Sequence, residues 1–336
     1  MSLTFRRTLQ LLGCIVSVAI VSACGALGSP SAIPGSNDGS PQTSSRTFHF
    51  THAIQRFKVP TGVTQITITA YGAMGGGYSN PSDGNPGGLG AKVKATIPVT
   101  PGQVLVVNVG GKGAQNKDSA GGQGYNGGGT AGDSAFGGGG SSDVRTAQGW
   151  LADRLVIAAG GGGSGYSGEA SSCGGSSCSS SGSTELLYGG IGGIGGATTG
   201  GGGGTGADGG GGGTGASQTN GGAGGAGAGG TFVSFSSYRS CAAVDGSNGK
   251  LYNGGAGASD SCGPAGGGGG GGYYGGGGGG GGGYDNYVAT GSINYESGGG
   301  GGGGGGTSFV EKSGTDIHKT SGGAPPGNGE ITIAWR

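Results

Sequence analysis

Residues 330–336 read Glu-Ile-Thr-Ile-Ala-Trp-Arg, and residues 63–71 read Val-Thr-Gln-Ile-Thr-Ile-Thr-Ala-Tyr. In the first, Ile331, Ile333 and Trp335 fall on one face; in the second, Ile66, Ile68 and Ala70 do, with Gln65, Thr67 and Thr69 opposite. A period of two is that of a β-strand with one face buried. Ala91–Val99 repeats it, setting Val93, Ala95 and Ile97 against Lys92, Lys94 and Thr96. Val104–Val109 (VLVVNV) is apolar on nearly both faces, as a strand inside a sheet is, and Arg154–Ala159 (RLVIAA) looks like another strand. Thr47–Lys58 adds a candidate anchored by Phe48, Phe50 and Phe57, while Pro60-Thr61-Gly62 and Pro101-Gly102 mark turns. Helical periodicity is nearly absent, and Thr184–Tyr188 is too short to count as a helix. The pattern predicts an all-β sandwich.

Between these strands lie glycine runs, the longest being Gly266–Gly272, Gly275–Gly283 and Gly298–Gly306, in a chain with 101 glycines among 336 residues. Glycine has no side chain to bury and loses more backbone entropy on ordering than any other residue. Such runs are therefore either disordered or held by backbone hydrogen bonds at very close approach. Strands at both ends make the glycine-rich part, about residues 111–306, a closed insertion. Collagen is excluded, since there is no Gly-X-Y period and only 11 prolines. The runs are uninterrupted and punctuated by Tyr273, Tyr274, Tyr284, Tyr287, Tyr295 and Phe309, unlike a solvated linker. Pure glycine can form an extended left-handed threefold helix that keeps its N–H groups, and such helices pack side by side because no Cβ separates them. Packed polyglycine II-type helices are the expectation, nine glycines spanning roughly 28 Å.

The first residues read as an address. Arg6 and Arg7 precede the apolar stretch Leu11–Val21, which ends in Val21-Ser22-Ala23-Cys24. This resembles the bacterial lipobox and predicts a lipoprotein signal peptide over 1–23, with lipid on Cys24; an ordinary signal peptide is the competing reading. Residues 24–46, with Pro30, Pro34 and Pro41 among Ser, Gly and Asn, read as a flexible tether, leaving 47–336 as one domain. Taking Arg6 and Arg7 from the 16 Lys and Arg leaves 14 against 16 Asp and Glu, a net of −2. Without a basic patch, nucleic acid is not an expected partner. Cys173, Cys178, Cys241 and Cys262 remain as disulfide candidates, with a local Cys173/Cys178 loop favoured, against a zinc reading weakened by the absence of nearby histidine.

No catalytic constellation emerges. A P-loop needs GxxxxGK[ST], which neither Lys112 nor Lys250 completes, and GxGxxG is uninformative at this composition. His49 and His52 face opposite sides of an extended strand. Residues 203–208 resemble the start of a calcium-binding nonapeptide, but Gly210 takes the aliphatic position and no tandem copy follows. Asp143 and Arg145 read as a structural ion pair or turn contact. No cofactor and no metal are expected. Tyr273, Tyr274, Tyr284, Tyr287 and Tyr295 form a possible contact surface, with packing over the glycine bundle as their other role.

Several of these pieces together resemble a known family. Ile68-Thr69-Ala70-Tyr71-Gly72-Ala73-Met74-Gly75-Gly76-Gly77, Gly87-Gly88-Leu89-Gly90 and Pro101-Gly102-Gln103 leading into Val107–Gly111 come first. Gly137–Arg145, Arg154–Gly160 and Gly327–Ile333 continue the match. The set is similar to the extracellular glycine-rich domain of the anaplastic lymphoma kinase and leukocyte tyrosine kinase receptors, shared by bacterial glycine-rich surface proteins. The resemblance spans roughly 48–336 and implies a jelly-roll-like β-sandwich carrying a packed bundle of polyglycine helices. It implies no kinase activity, because the chain has neither an H-R-D nor a D-F-G motif. Two functions follow as expectations, both in a bacterial cell envelope with the membrane held through the lipid. One is a non-catalytic adhesion or ligand-binding module for an extracellular protein or glycan. The alternative is a structural envelope or matrix component that self-associates.

Overall fold

A computed structural model describes residues 43–78, 85–114, 124–146, 150–174, 184–204, 209–223, 243–259, 263–289 and 292–336. The class is all-β, and the described residues hold no α-helix, only a 3-10 turn at Leu151–Asp153. The strands are β1 (Ser44–His49), β2 (Gln55–Lys58), β3 (Gln65–Tyr71), β4 (Lys92–Pro98), β5 (Val104–Asn108), β6 (Ser142–Arg145) and β7 (Arg154–Ala158). They continue as β8 (Gly168–Gly174), β9 (Thr184–Leu187), β10 (Tyr284–Ala289), β11 (Ser292–Ser297), β12 (Phe309–Val310), β13 (Thr315–Thr320) and β14 (Glu330–Trp335).

Two five-stranded antiparallel sheets share one core, ordered β1-β14-β3-β4-β13 and β12-β7-β6-β5-β2. The alternation in the sequence decides what faces inward. Ile66, Ile68 and Ala70 of β3, Val93, Ala95 and Ile97 of β4, and Ile331 and Ile333 of β14 are all buried. They meet Leu105 and Val107 of β5, Val144 of β6 and Val156 of β7 from the second sheet. Each fully buried valine, leucine or isoleucine among them contributes about 1.5–3 kcal/mol. The register sets Phe48 against Ile331 and Ile333 against Ile68, so β14 lies between β1 and β3.

The stretch 47–58 holds two strands, one in each sheet, joined by a turn in which His52 takes a φ of 56°. β1 starts at Ser44, inside the span expected as tether. β6 (Ser-Asp-Val-Arg) carries no alternation, because all four of its residues are buried and three are polar. Thr184–Leu187 forms β9 of a separate four-stranded sheet, β10-β11-β8-β9. Glycine-rich sequence leaves the sandwich at 72–91, 109–141 and 159–308, so 111–306 encloses β6 and β7.

In these excursions backbone hydrogen bonds repeat every three residues. Along Gly300–Gly306, successive amides donate to Tyr166, Gly280, Gly204, Gly163, Gly277, Gly201 and Gly160, at 2.8–3.1 Å. The carbonyls of the same residues accept, in order, from Gly190, Gly267, Gly213, Gly193, Gly270, Ala216 and Gly196. Each neighbour thus recurs at every third position. Residues 160–166, 190–196, 201–204, 210–216, 267–270 and 277–280 surround the 300–306 run on six sides. Burial follows the same period: Tyr188, Ile191 and Ile194 are exposed, while Gly189, Gly190, Gly192 and Gly193 between them are buried. A chain that accepts neighbours this close must lack Cβ atoms; one built on Gly303 would overlap the Gly268 carbonyl.

Ser308 ties this lattice to the sandwich. Its hydroxyl donates to the Gly196 carbonyl at 2.7 Å and accepts from the Ala159 amide at 3.1 Å, just beyond β7.

Candidate functional site

Tyr273 and Tyr274 separate two glycine runs where the chain reverses. The Tyr273 amide donates to the Thr307 carbonyl at 2.7 Å, and the Thr307 amide to the Tyr274 carbonyl at 2.9 Å. Both rings are half-buried. Tyr273 stacks on Phe309 of β12, with centroids 4.5 Å apart and planes at 14°, and meets Tyr274 and Tyr252 edge to face at 5.2 and 6.0 Å. Such geometry satisfies the ring quadrupoles and gives a rigid aromatic rim with polar tips.

Tyr252 connects the rim to charge. It sits at a φ of 72°, unusual for a residue with a Cβ, in the turn where Lys250 and Asn253 pair. Its ring covers the Arg154 guanidinium at 4.5 Å. Burial raises the Tyr252 pKa, and the Arg154 charge opposes that rise.

Beneath lies a buried ion cluster. Asp143 of β6 is paired with Arg145 two residues on and with Arg154 Nη2 at 3.0 Å. Asn126, at a φ of 71° in an Asn-Gly turn, donates from Nδ2 to Asp143 Oδ2 at 2.7 Å and to the Ser141 carbonyl at 2.7 Å. Its Oδ1 accepts from Arg145 Nη2 at 3.1 Å and Arg154 Nη2 at 3.4 Å. Burial alone would raise the Asp143 pKa, but the Arg154 charge, the Arg145 hydrogen bond and charge, and Asn126 hold it below the usual carboxylate range. Two guanidiniums face one carboxylate. The Tyr252 ring covers the Arg154 guanidinium, whose Nε and Nη1 have no hydrogen-bond partner among the described residues. The cluster fastens β6, β7 and the turn at Asn126 together, the structural role read for Asp143 and Arg145.

The expected five-tyrosine surface is divided between elements. Tyr273 and Tyr274 stand at the rim beside β12; Tyr284 and Tyr287 lie on β10, and Tyr295 on β11 opposite Asn286. Cys173 lies on β8, opposite Ile293, whereas Cys178, Cys241, Cys262 and Cys24 fall outside the described residues. His49 Nδ1 lies 3.3 Å from Glu330 Oε2, and His52 packs on Phe50. Among the described residues no three His, Cys, Asp or Glu side chains group as metal ligands, and no helix is long and apolar enough to cross a membrane.

Arg154, Asn126 and Tyr252 escape the sequence reading. An arginine heading the otherwise apolar RLVIA strand was one available signal, since a charge there must find a buried partner. No family model matches the chain, and no curated protein matches it.

Proposed function

We propose that this chain is a lipid-anchored, non-catalytic surface module of a bacterial envelope, which binds an extracellular ligand through side chains held on a rigid glycine frame. The resemblance to the glycine-rich receptor domains supports the outside location. The observation that carries the reading is the three-residue hydrogen-bond repeat around Gly300–Gly306, a run that touches six other segments. That repeat is what polyglycine II-type helices in lateral packing would produce. An interior built of backbone has no reactive side chains, so recognition belongs to the surfaces where side chains stand, the strands of the two sheets and the aromatic rim at Tyr252, Tyr273 and Phe309 among them. A jelly-roll-like arrangement is supported by the crossings between sheets at β1–β2, β2–β3, β4–β5 and β12–β13.

Anchoring has a direct test. Cys24→Ser is expected to move the protein from the membrane pellet to the soluble fraction, together with loss of metabolic labelling by a fatty-acid analogue. Continued sedimentation with membranes would remove the lipid from the proposal.

One observation favours the self-associating alternative. Tyr188, Ile191 and Ile194 form an exposed ridge, 42–49% accessible, at threefold spacing along the bundle edge. If copies meet there, Ile191→Ser with Ile194→Ser will lower the sedimentation coefficient of concentrated protein. A coefficient that is independent of concentration in the unsubstituted chain would eliminate this reading.

A further inference from the structure

The outward face of the first sheet carries a row of hydroxyls in register. Thr67 of β3 stands opposite Thr96 of β4 and Ala334 of β14, and Thr69 opposite Lys94 and Thr332. Cross-strand hydrogen bonds join Thr67 to Thr96 at 3.2 Å and Thr47 to Thr332 at 2.9 Å. Over this face runs an open groove of about 670 Å³, lined by Thr67, Thr69, Lys94, Thr96, Asp316 and Trp335 among others. Its size falls in the range of small-molecule sites, roughly 300–1,000 Å³. Asp316 reaches the groove from β13, where the pairing with β4 shifts register between Thr315 and His318, and its φ is 49°. Bulges of this kind re-aim a side chain, and a strained non-glycine residue persists only where its surroundings hold it there.

We propose that this groove binds an uncharged polysaccharide. The proposal deepens the ligand-binding reading above and rests on it. A sugar presents adjacent hydroxyls, each both donor and acceptor. The groove offers partners for both roles: threonine hydroxyls, the Lys94 ammonium as donor and the Asp316 carboxylate as acceptor. The threonines are β-branched with restricted χ1 and stand on strands paired on both sides, so binding orders little that is not already ordered. Other occupants fit less well. A lipid needs an apolar floor, whereas this one is hydroxyl-rich. A nucleic acid needs a run of cations, whereas the lining holds two, Lys94 and Arg336, together with the Asp316 carboxylate. An extended peptide needs a free strand edge, and β3 and β4 are interior strands whose backbones are already paired.

The test is affinity electrophoresis of the full, detergent-solubilised chain through gels containing dextran, mannan, laminarin or amylopectin, with heparin as the anionic comparison. Retardation by at least one neutral polymer, little changed by added salt, is expected. Thr67→Val together with Thr96→Val should weaken it roughly tenfold or more by removing paired hydroxyls at nearly constant shape. Asp316→Asn should weaken it without altering Tm. Retardation by heparin alone, or by no polymer, overturns the groove, while Cys24-dependent membrane recovery leaves the surface-module reading standing. Retardation that survives the groove variants but is lost in Tyr273→Ala also overturns it and moves binding to the aromatic rim.

Discussion

Gly279→Val is expected to abolish cooperative folding or cost about 4 kcal/mol or more, whereas Gly202→Ala is expected to be nearly silent. Both glycines lie in the hydrogen-bonded bundle. The Gly279 amide donates to Gly267 at 2.8 Å and its carbonyl accepts from Ala258 at 2.9 Å. A Cβ at this position would overlap the Gly301 carbonyl and crowd that of Gly302. The obstacle is backbone locked by its own lateral bonds, not the movable end of a side chain, so relaxation must break several bonds in neighbouring segments. At Gly202 the nearest atom to a Cβ is the Gly213 oxygen at 3.9 Å, and the position is exposed. For a domain of this size the expected gap in Tm is about 10 °C. Differential scanning calorimetry reads it directly. Equal melting temperatures for the two variants would mean that the glycine segments contribute nothing to the folded state.

The second large effect belongs to Asp143→Asn. The substitution keeps shape but removes the charge that two buried guanidiniums share. Breaking a buried ion pair from one side costs about 3–5 kcal/mol, because the remaining charge keeps its desolvation cost. Here Arg145 and Arg154 would also repel one another, with the Asn126 oxygen and the Tyr252 ring as weaker, uncharged partners. The pH dependence has a fixed sign. Asp143 has a lowered pKa in the folded state, so its contribution is complete above the unfolded value of about 3.9 and is lost as pH falls through the lower folded value. Urea midpoints of the two proteins should therefore differ by a constant amount from neutral pH down to about pH 5 and converge in stronger acid. Coincident midpoints at neutral pH would show that the cluster carries no net stability.

The strands at 65–71, 92–98, 104–108, 154–158 and 330–335 were legible because one or both of their faces meet a hydrophobic core, and burial writes its period into the sequence. β6 was not legible as a strand, since its buried partners are ionic: Asp143 and Arg145 satisfy each other and leave no alternation to read. β13 was missed for the opposite reason. Its residues are almost all exposed, so nothing selects apolar side chains at every second position. Glycine poses a separate difficulty, as its order lies in hydrogen bonds between segments distant in sequence, and a run of identical residues carries no register. Register does show at Tyr188-Gly-Gly-Ile191-Gly-Gly-Ile194, where every third residue carries a side chain and those side chains are exposed. At the candidate site, Tyr273 and Tyr274 could be picked out by their isolation among glycines. Tyr252 could not, because its role depends on Arg154 lying beneath it.

The place of β14 governs how the chain can be made. Residues 330–335 lie between β1 and β3, so the first sheet stays in two pieces until nearly the whole sequence is available. The 300–306 run, likewise late in the chain, forms the axis around which six earlier segments gather. Contacts of such sequence separation form slowly, since loop closure precedes any energetic return. The first sheet therefore closes only after β14 has been made, and the pieces formed before it wait for that strand.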